Sequence, residues 1–533
     1  MANPFYTGEH EAFREVMRRF VAREIEPYAH QWDEEGEFPR ALYAKASEIG
    51  LLGLGFPEEF GGIAADQFMK IVASQELARA GAGGVSASLM SHTIGSPPIA
   101  RAARPEVKAR VLPEVLAGRK ISALAITEPG GGSDVANLRT KARRDGDHYV
   151  VSGEKTFITS GMRADYLTVA VRTSGEGPGG VSLLLIEGDT PGLSRTKLKK
   201  MGWWASDTAT LHFDECRVPV ENLIGEENKG LNCMFTMMNN ARLAVGMQGV
   251  AICEASTQKA VQYAKDRTQG KAPGWTGQGM SPIIEHPDVA RMLVTMKALT
   301  QGARAICYTC AHATDMSHHE EGEAARHWAE RAALLTPIAK SFATDAGVEV
   351  ASLGIQTHGG MGFIEETGAA RFWRDSRIAP IYEGTNGIQA ADLVTRKLSL
   401  SNGAQVRGFI QELKDTVSAV RTSNLEGFGE TADRLEASLA DLEETTEWLL
   451  AQLAAGNAST ALAGATPYQR LFGLALTGVY LAKGALADEE HGRDNRLALC
   501  RFAAENIIAE TAALKDRVIN GAASLEAARA LFA

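Results

Sequence analysis

One change of rhythm constrains this chain more than any other feature. Apolar residues recur every three to four positions, then alternate over short β-branched runs, then recur every three to four again. "EHEAFREVMRRFVAREIEPYA" spaces Phe13, Val16, Met17 and Phe20 along one helix face, and "FMKIVASQELARA" repeats the style, so residues from about 8 to 118 read as helices. From about 120 to 225, "HYVVSG", "YLTVAVRT", "VSLLLIEG" and "ATLHFDECRV" alternate with Gly, Asp and Pro turns, as strands do. Helical spacing returns near Gly230, where Met234, Met238, Ala241, Val245 and Ile252 share a face that reads as core. After "KLSLSNG" the tail has periodic runs of its own, "ASLADLEETTEWLLAQLAA" and "RLFGLALTGVYLAKGALA". That much apolar periodicity specifies a packed helical domain rather than disorder. At 533 residues the chain exceeds what one core supports. The expected fold class is multidomain α+β, divided as 1–119 (α), 120–228 (β), 229–400 (α) and 401–533 (an additional all-α domain).

Composition excludes several classes. With 65 acidic against 55 basic residues the net charge is −10, so no basic surface for nucleic acid is expected. No run approaches the roughly 18 apolar residues of a membrane span, and the start "MANPFYTGEHEAFREV" lacks a signal pattern. Six cysteines in this length are no disulfide scaffold. Cys307 and Cys310 form a lone CxxC inside a helical run, better suited to packing than to metal, and His318 and His319 are expected in a solvated loop. No metal site is expected, and a reducing cytoplasm fits.

The stretches that carry chemistry are few. "ALAITEPGGGSDVANL" joins an apolar strand to three glycines and Ser133, where backbone N–H groups and a hydroxyl could approach an anion. It matches neither the P-loop nor the GxGxxG fingerprint. "GEKTFITSG" sets an aromatic edge and a hydroxyl at a strand end, suited to a flat heterocycle. "GIQTHGGMGF" adds a second Gly–Gly approach after a helix. In "RIAPIYEGTNGIQAADL", Glu383 follows the apolar run Pro380–Ile381–Tyr382, a setting that raises a carboxylate's pKa toward the range useful for proton transfer. Asn386 and Gln389 have capping-box spacing, so a helix should begin just beyond the carboxylate.

"TEPGGGSD", "FITSG", "YAKDRTQGK" and "QTHGGMGF…IYEGTNGIQ", in this order, resemble the acyl-CoA dehydrogenase family over about residues 8 to 398. The tail resembles the extra helical domain of a subset, the 3-methylmercaptopropionyl-CoA dehydrogenase-like members. The resemblance implies an N-terminal α domain, a middle β-barrel-like domain, a C-terminal four-helix bundle and non-covalent FAD. It implies dehydrogenation of an acyl-CoA, either 3-methylthiopropionyl-CoA or a short- or medium-chain ester, to the trans-2-enoyl-CoA. Glu383 would take the α-proton while flavin N5 receives the β-hydride, and electron-transfer flavoprotein would accept the electrons.

By the same resemblance, the flavin contacts are Ala125, Ile126, Thr127, Gly132, Ser133, Phe157, Ile158, Thr159, Arg267 (toward a neighbouring subunit), His286, Gln356, Thr357, His358, Gly359, Gly360, Thr385 and Asn386. The substrate contacts are Ser133, Asn239, Arg242, Tyr382 and Gly384. Phe157 replaces the more usual Trp, Pro287 the expected Gln, and Ala241 the carboxylate that some relatives carry on the long helix, which leaves Glu383 as base. A homodimer is expected because the tail should occupy the face through which tailless relatives form tetramers. Rival readings are an acyl-CoA oxidase and a DNA-associated flavoprotein, the latter opposed by the acidic "NLEGFGETADRLEASLADLEETTEW".

Overall fold

The computed structural model describes residues 5–488 and 492–532, with the side chains of residues 235–240 outside that description. It divides into two units, Met1–Ala241 and Arg242–Ala533.

In the first unit, helices Gly8–Glu24, Gln67–Ala78 and Pro105–Leu116 precede the strands. Met17, Phe20, Val21, Leu42, Tyr43, Leu77 and Leu89 build a core around the first two of these. Asp66 caps the second of these helices, accepting from the Met69 amide at 2.7 Å, and also meets His10 Nε2 at 3.0 Å. The strands are β1 (Ser122–Ala125), β2 (Lys141–Asp145), β3 (His148–Thr159), β4 (Tyr166–Arg172), β5 (Val181–Glu187), β6 (Leu193–Lys197), β7 (Thr208–Pro219) and β8 (Leu223–Ile224). They form one sheet in the order β6-β7-β3-β2-β4-β5-β8, with β1 parallel to β4.

The strands "YLTVAVR" and "VSLLLIE" are apolar almost throughout because both faces are covered. Leu167, Val169, Val171, Leu184 and Ile186 pack into one core, with Tyr149, Leu211 and Phe213. Their alternates Ala170, Val181, Leu183 and Leu185 pack into another, against Val107, Val111, Leu112 and Met234.

The second unit is helical. Its long members are the part of Gly230–Asp266 from Arg242 onward, Pro287–His319 and Gly322–His358. Backbones come very close where the first and third cross. A Cβ on Gly249 would lie 2.3 Å from the Ala343 carbonyl oxygen, and one on Gly246 2.8 Å from that of Ala339. Cys307 and Cys310 are buried on the middle helix with free thiols, as packing residues.

The tail folds as helices Ala404–Thr422, Thr431–Ala454, Ala465–Ala487, Arg493–Asn506 and Thr511–Ala528. Ala465–Ala487 is long and apolar enough to cross a membrane by composition, with a mean hydropathy of 1.2, which the sequence reading overlooked. Its apolar side chains serve as core instead: Tyr468, Leu471, Phe472, Leu474 and Val479 are all fully buried. It docks closely on the 322–358 helix, where a Cβ on Gly473 would sit 2.2 Å from the Phe342 ring and Gln469 Nε2 donates to the Pro337 carbonyl at 3.0 Å.

Because the 249/343 contact is backbone against backbone, no side chain can yield there. Gly249→Val is expected to lower unfolding stability by about 3 kcal/mol, the upper end for overpacking. Urea unfolding checks this, and a loss below about 1 kcal/mol would mean that the two helices separate freely.

Candidate active site

In the first unit the site residues cluster where β3 departs from its partner. Pairing with β7 slips between Lys155 and Ile158, and Phe157 takes a left-handed φ of 61°. Its ring stands 67% exposed, where a flat ligand could lie on it. Thr156 N donates to Thr127 O at 2.8 Å, so the Thr127 and Phe157–Thr159 segments run side by side. Behind them lies a buried ion pair that the sequence reading missed. Lys155, fully buried, donates to Glu128 Oε1 at 2.7 Å and to Ile126 O at 2.9 Å. Burial pushes its pKa down to about 8. Burial also raises that of Glu128, but Lys155 and the amides of Arg139 and Thr140 outweigh it and hold the carboxyl below its ordinary range. Gly132 and Ser133 are exposed beyond this anchor, whereas Ala125 and Ile158 are core residues that can offer only backbone groups.

In the second unit, the turn between helices Ala369–Ser376 and Asn386–Asp392 carries Glu383. Glu383 and Gly384 both adopt left-handed backbone, with φ of 54° and 78°. For a glutamate this costs on the order of 1 kcal/mol, so the surroundings must hold it there. They do so from three sides. Tyr382 Oη donates to Gln248 Oε1 on the 230–266 helix. Gln389 Nε2 reaches the Glu383 carbonyl at 3.4 Å. Lys340 Nζ, from the 322–358 helix, donates to Gly384 O at 3.0 Å and to Asn386 Oδ1 at 2.8 Å. Residue 384 has to be glycine for its φ, and also because a Cβ would lie 2.7 Å from Gln389 Nε2.

The Glu383 carboxylate makes no hydrogen bond among the described residues. Burial raises its pKa, with Arg242 and Lys340 pulling it partly back. Arg242 itself leans on Asp392 at 3.6 Å. Burial, with Glu383 alongside, keeps the Tyr382 phenol protonated as a donor. The helix beyond begins at Asn386 as expected, but its cap is Thr385, whose hydroxyl accepts from Ile388 N at 3.2 Å. Asn386 is freed to bind the 322–358 helix through Thr344 Oγ1 (3.0 Å) and Asp345 Oδ1 (2.8 Å).

The remaining residues form a second group. Tyr263 stacks on His358 with ring centroids 4.4 Å apart, which sets the Arg267 end of one helix beside Gln356–Gly360 at the end of another. Arg267 is exposed and meets no carboxylate among the described residues, and Gln356, Gly359 and Gly360 are exposed as well. Thr357 and His358 turn back on their own helix, bonding Leu353 O at 2.8 Å and Gly354 O at 2.7 Å. His286 Nε2 donates to Gln269 O at 2.9 Å and closes the base of the 269–282 loop. The Asn239 side chain lies outside the described residues. Lys340, Gln248 and Asp345 went unread, although a lysine inside "LLTPIAKSFATDAG" interrupts an otherwise apolar and small-residue helix and marks itself.

Family models match in sequence: acyl-CoA dehydrogenase N-terminal domain over residues 7–119, middle domain over 123–216 and C-terminal domain over 228–398. A fourth, acetyl-CoA dehydrogenase C-terminal like, matches 404–529. The chain is 34% identical over 532 residues to 3-methylmercaptopropionyl-CoA dehydrogenase of Ruegeria pomeroyi, covering 93% of this chain and 89% of that one. An acyl-CoA dehydrogenase complexed with FAD from Bacillus anthracis superposes with a TM-score of 0.83 at 25% identity, over 97% of this chain and 89% of that one. A chain in the structure of the electron transferring flavoprotein of Acidaminococcus fermentans matches with a TM-score of 0.66 at 29% identity, over 74% and 98%.

The raised pKa of Glu383 has a consequence for stability. Unfolded, the carboxyl ionises near its ordinary 4.5; folded, it ionises higher. Between those two values the native state holds a proton that the unfolded state has lost, so this group's contribution falls as pH rises through the window. Glu383→Gln removes that cost. Its melting temperature is expected to exceed wild type at pH 8, with the gap closing as pH falls through that window and absent below about 4.5. A gap independent of pH would show that the carboxyl is not desolvated.

Proposed function

The chain belongs to the acyl-CoA dehydrogenase family of FAD-dependent oxidoreductases acting on the CH–CH bond of acyl-CoA esters, and we propose that Glu383 is its catalytic base. The observation that carries this is a half-buried carboxylate with raised pKa, on a turn held from three sides, that makes no hydrogen bond among the described residues. Several features suit FAD: the Phe157 face with Thr127 and Thr159 beside it, the exposed backbone at Gly132–Ser133, and an Arg267 guanidinium that meets no carboxylate among the described residues. A pyrophosphate needs such a cation. In the second unit, Thr385, Asn386 and the Gln356–Gly360 segment are the further residues that the family resemblance offers to FAD.

Bound FAD supplies the acceptor for the β-hydride. Glu383 removes the α-proton of the thioester, and the two losses leave a trans-2-enoyl-CoA. The Glu383 amide donates to no described acceptor, so it is available to polarise the thioester carbonyl and make the α-proton acidic. Arg242, Tyr382 and Gly384 would line the acyl-CoA side. Likeness to the Ruegeria enzyme supports 3-methylthiopropionyl-CoA or a short- to medium-chain acyl-CoA as substrate, in β-oxidation-type chemistry in the cytoplasm. Likeness to the Acidaminococcus structure supports electron-transfer flavoprotein as acceptor.

Glu383→Gln should lower flavin bleaching by substrate about 10²- to 10⁴-fold with flavin content intact, the range for a general base. A panel from propionyl- to palmitoyl-CoA plus 3-methylthiopropionyl-CoA, with an artificial acceptor, supplies the substrate. Near wild-type bleaching by the variant would move the base elsewhere.

We also propose a homodimer. Arg267, which meets no carboxylate among the described residues, would reach the flavin of a neighbouring subunit, while the tail, packed on the 287–319 and 322–358 helices, would occupy the face expected to join dimers in tailless relatives. Light scattering should give about 114 kDa, twice 57.0 kDa. A stable mass near four chains would overturn the steric argument.

A further inference from the structure

We propose that Lys340 is a positioning residue for the reaction: its ammonium clamps the left-handed Glu383–Gly384 turn to the 322–358 helix and so fixes where the base points. The proposal rests on Glu383 being that base. Lys340 is fully buried, and its two hydrogen-bond acceptors, Gly384 O at 3.0 Å and Asn386 Oδ1 at 2.8 Å, are neutral. Burying an ammonium costs several kcal/mol unless it is well compensated. An apolar side chain would fill this helix position with less penalty, so packing does not account for a lysine here.

What the lysine does is local and specific. Asn386 is held as well by Ser341 O (3.3 Å), Thr344 Oγ1 (3.0 Å) and Asp345 Oδ1 (2.8 Å), so one turn of a single helix grips residues 384–386. Without the ammonium, the buried-side carbonyl of Gly384 loses its donor and the strained turn loses its tether. A left-handed glutamate whose carboxylate has no hydrogen bond among the described residues is aimed chiefly by its backbone.

Charge adds a second effect. The charged and titratable groups facing Lys340 are Asp345 on its own helix, Glu383 on the turn and Arg242 on the 230–266 helix. Those facing Glu383 are Arg242, Lys340 and the Tyr382 phenol. The ammonium therefore favours the ionised base against the desolvation that opposes it. Burial also brings Lys340 itself down to about 8, so the clamp should release on the alkaline side.

The test uses the purified flavoprotein with Lys340→Met and Lys340→Arg, alongside Glu383→Gln. Flavin content and melting temperature are measured for each. Lys340→Met should lose about 10- to 100-fold in kcat, as for a misplaced catalytic group, with KM within about threefold. The acid limb of its kcat/KM profile should move to higher pH. In wild type kcat should fall above about pH 8; Lys340→Arg, whose guanidinium stays charged, should lift that alkaline limb. A Lys340→Met enzyme with wild-type kcat and an unmoved acid limb overturns the proposal, as does an alkaline limb unchanged in Lys340→Arg. If the methionine variant does not fold, the arginine profile decides alone. Activity retained by Glu383→Gln would instead remove the base assignment, whatever the lysine variants do.

Discussion

Everything in the second unit that bears on chemistry depends on how closely two helices approach. Because Gly246 and Gly249 leave no side chain between the 230–266 and 322–358 helices, their backbones meet near Ala339 and Ala343. That contact fixes the distance between Gln248 on one helix and Lys340 and Asn386's partners on the other. The Glu383 turn is strung between them, held by Tyr382 to the first and by Gly384 and Asn386 to the second. A turn with two left-handed residues has no intrinsic preference for this shape, so the shape is set by where the helices stand.

The two units use the same device. In each, a fully buried lysine donates to a backbone carbonyl beside the site: Lys155 to Ile126 O and Lys340 to Gly384 O. Burial brings both down to about pKa 8. They differ in their other partner. Lys155 has the Glu128 carboxylate at 2.7 Å, whereas Lys340 has an amide oxygen and only feels its carboxylates at a distance. The first arrangement anchors a strand bulge firmly. The second places no cation within ion-pair distance of Glu383 among the described residues, so desolvation raises its pKa and Arg242 and Lys340 offset that only in part.

The tail shows how the same composition can carry opposite meanings. Ala465–Ala487 is apolar enough for a bilayer, yet four other tail helices and the 287–319 and 322–358 helices supply its apolar surroundings, and its polar side chains Gln469 and Thr477 find carbonyl acceptors. Hydropathy alone measures the side chains and cannot register what surrounds them.

The order of helix, sheet, helix and helical tail was legible in the sequence because periodicity is a local property, set by which faces must be buried. The glutamate in "IYEGT" was legible too, since an acid after an apolar run is anomalous on its face. The helix start beyond it was read correctly, but its cap was assigned one residue late, because Thr385 and Asn386 are both competent caps and only the demand of the 322–358 helix on Asn386 decides between them. Lys340 and Lys155 could have been noticed as isolated charges in apolar stretches, but nothing local says what a buried ammonium will bind. By itself the sequence determined the order of the elements and singled out Glu383 as the candidate for the proposed base. Only the tertiary structure decided that residue's backbone conformation, its desolvation and the charges around it, because each depends on atoms more than forty positions away along the chain that meet only once the helices have packed.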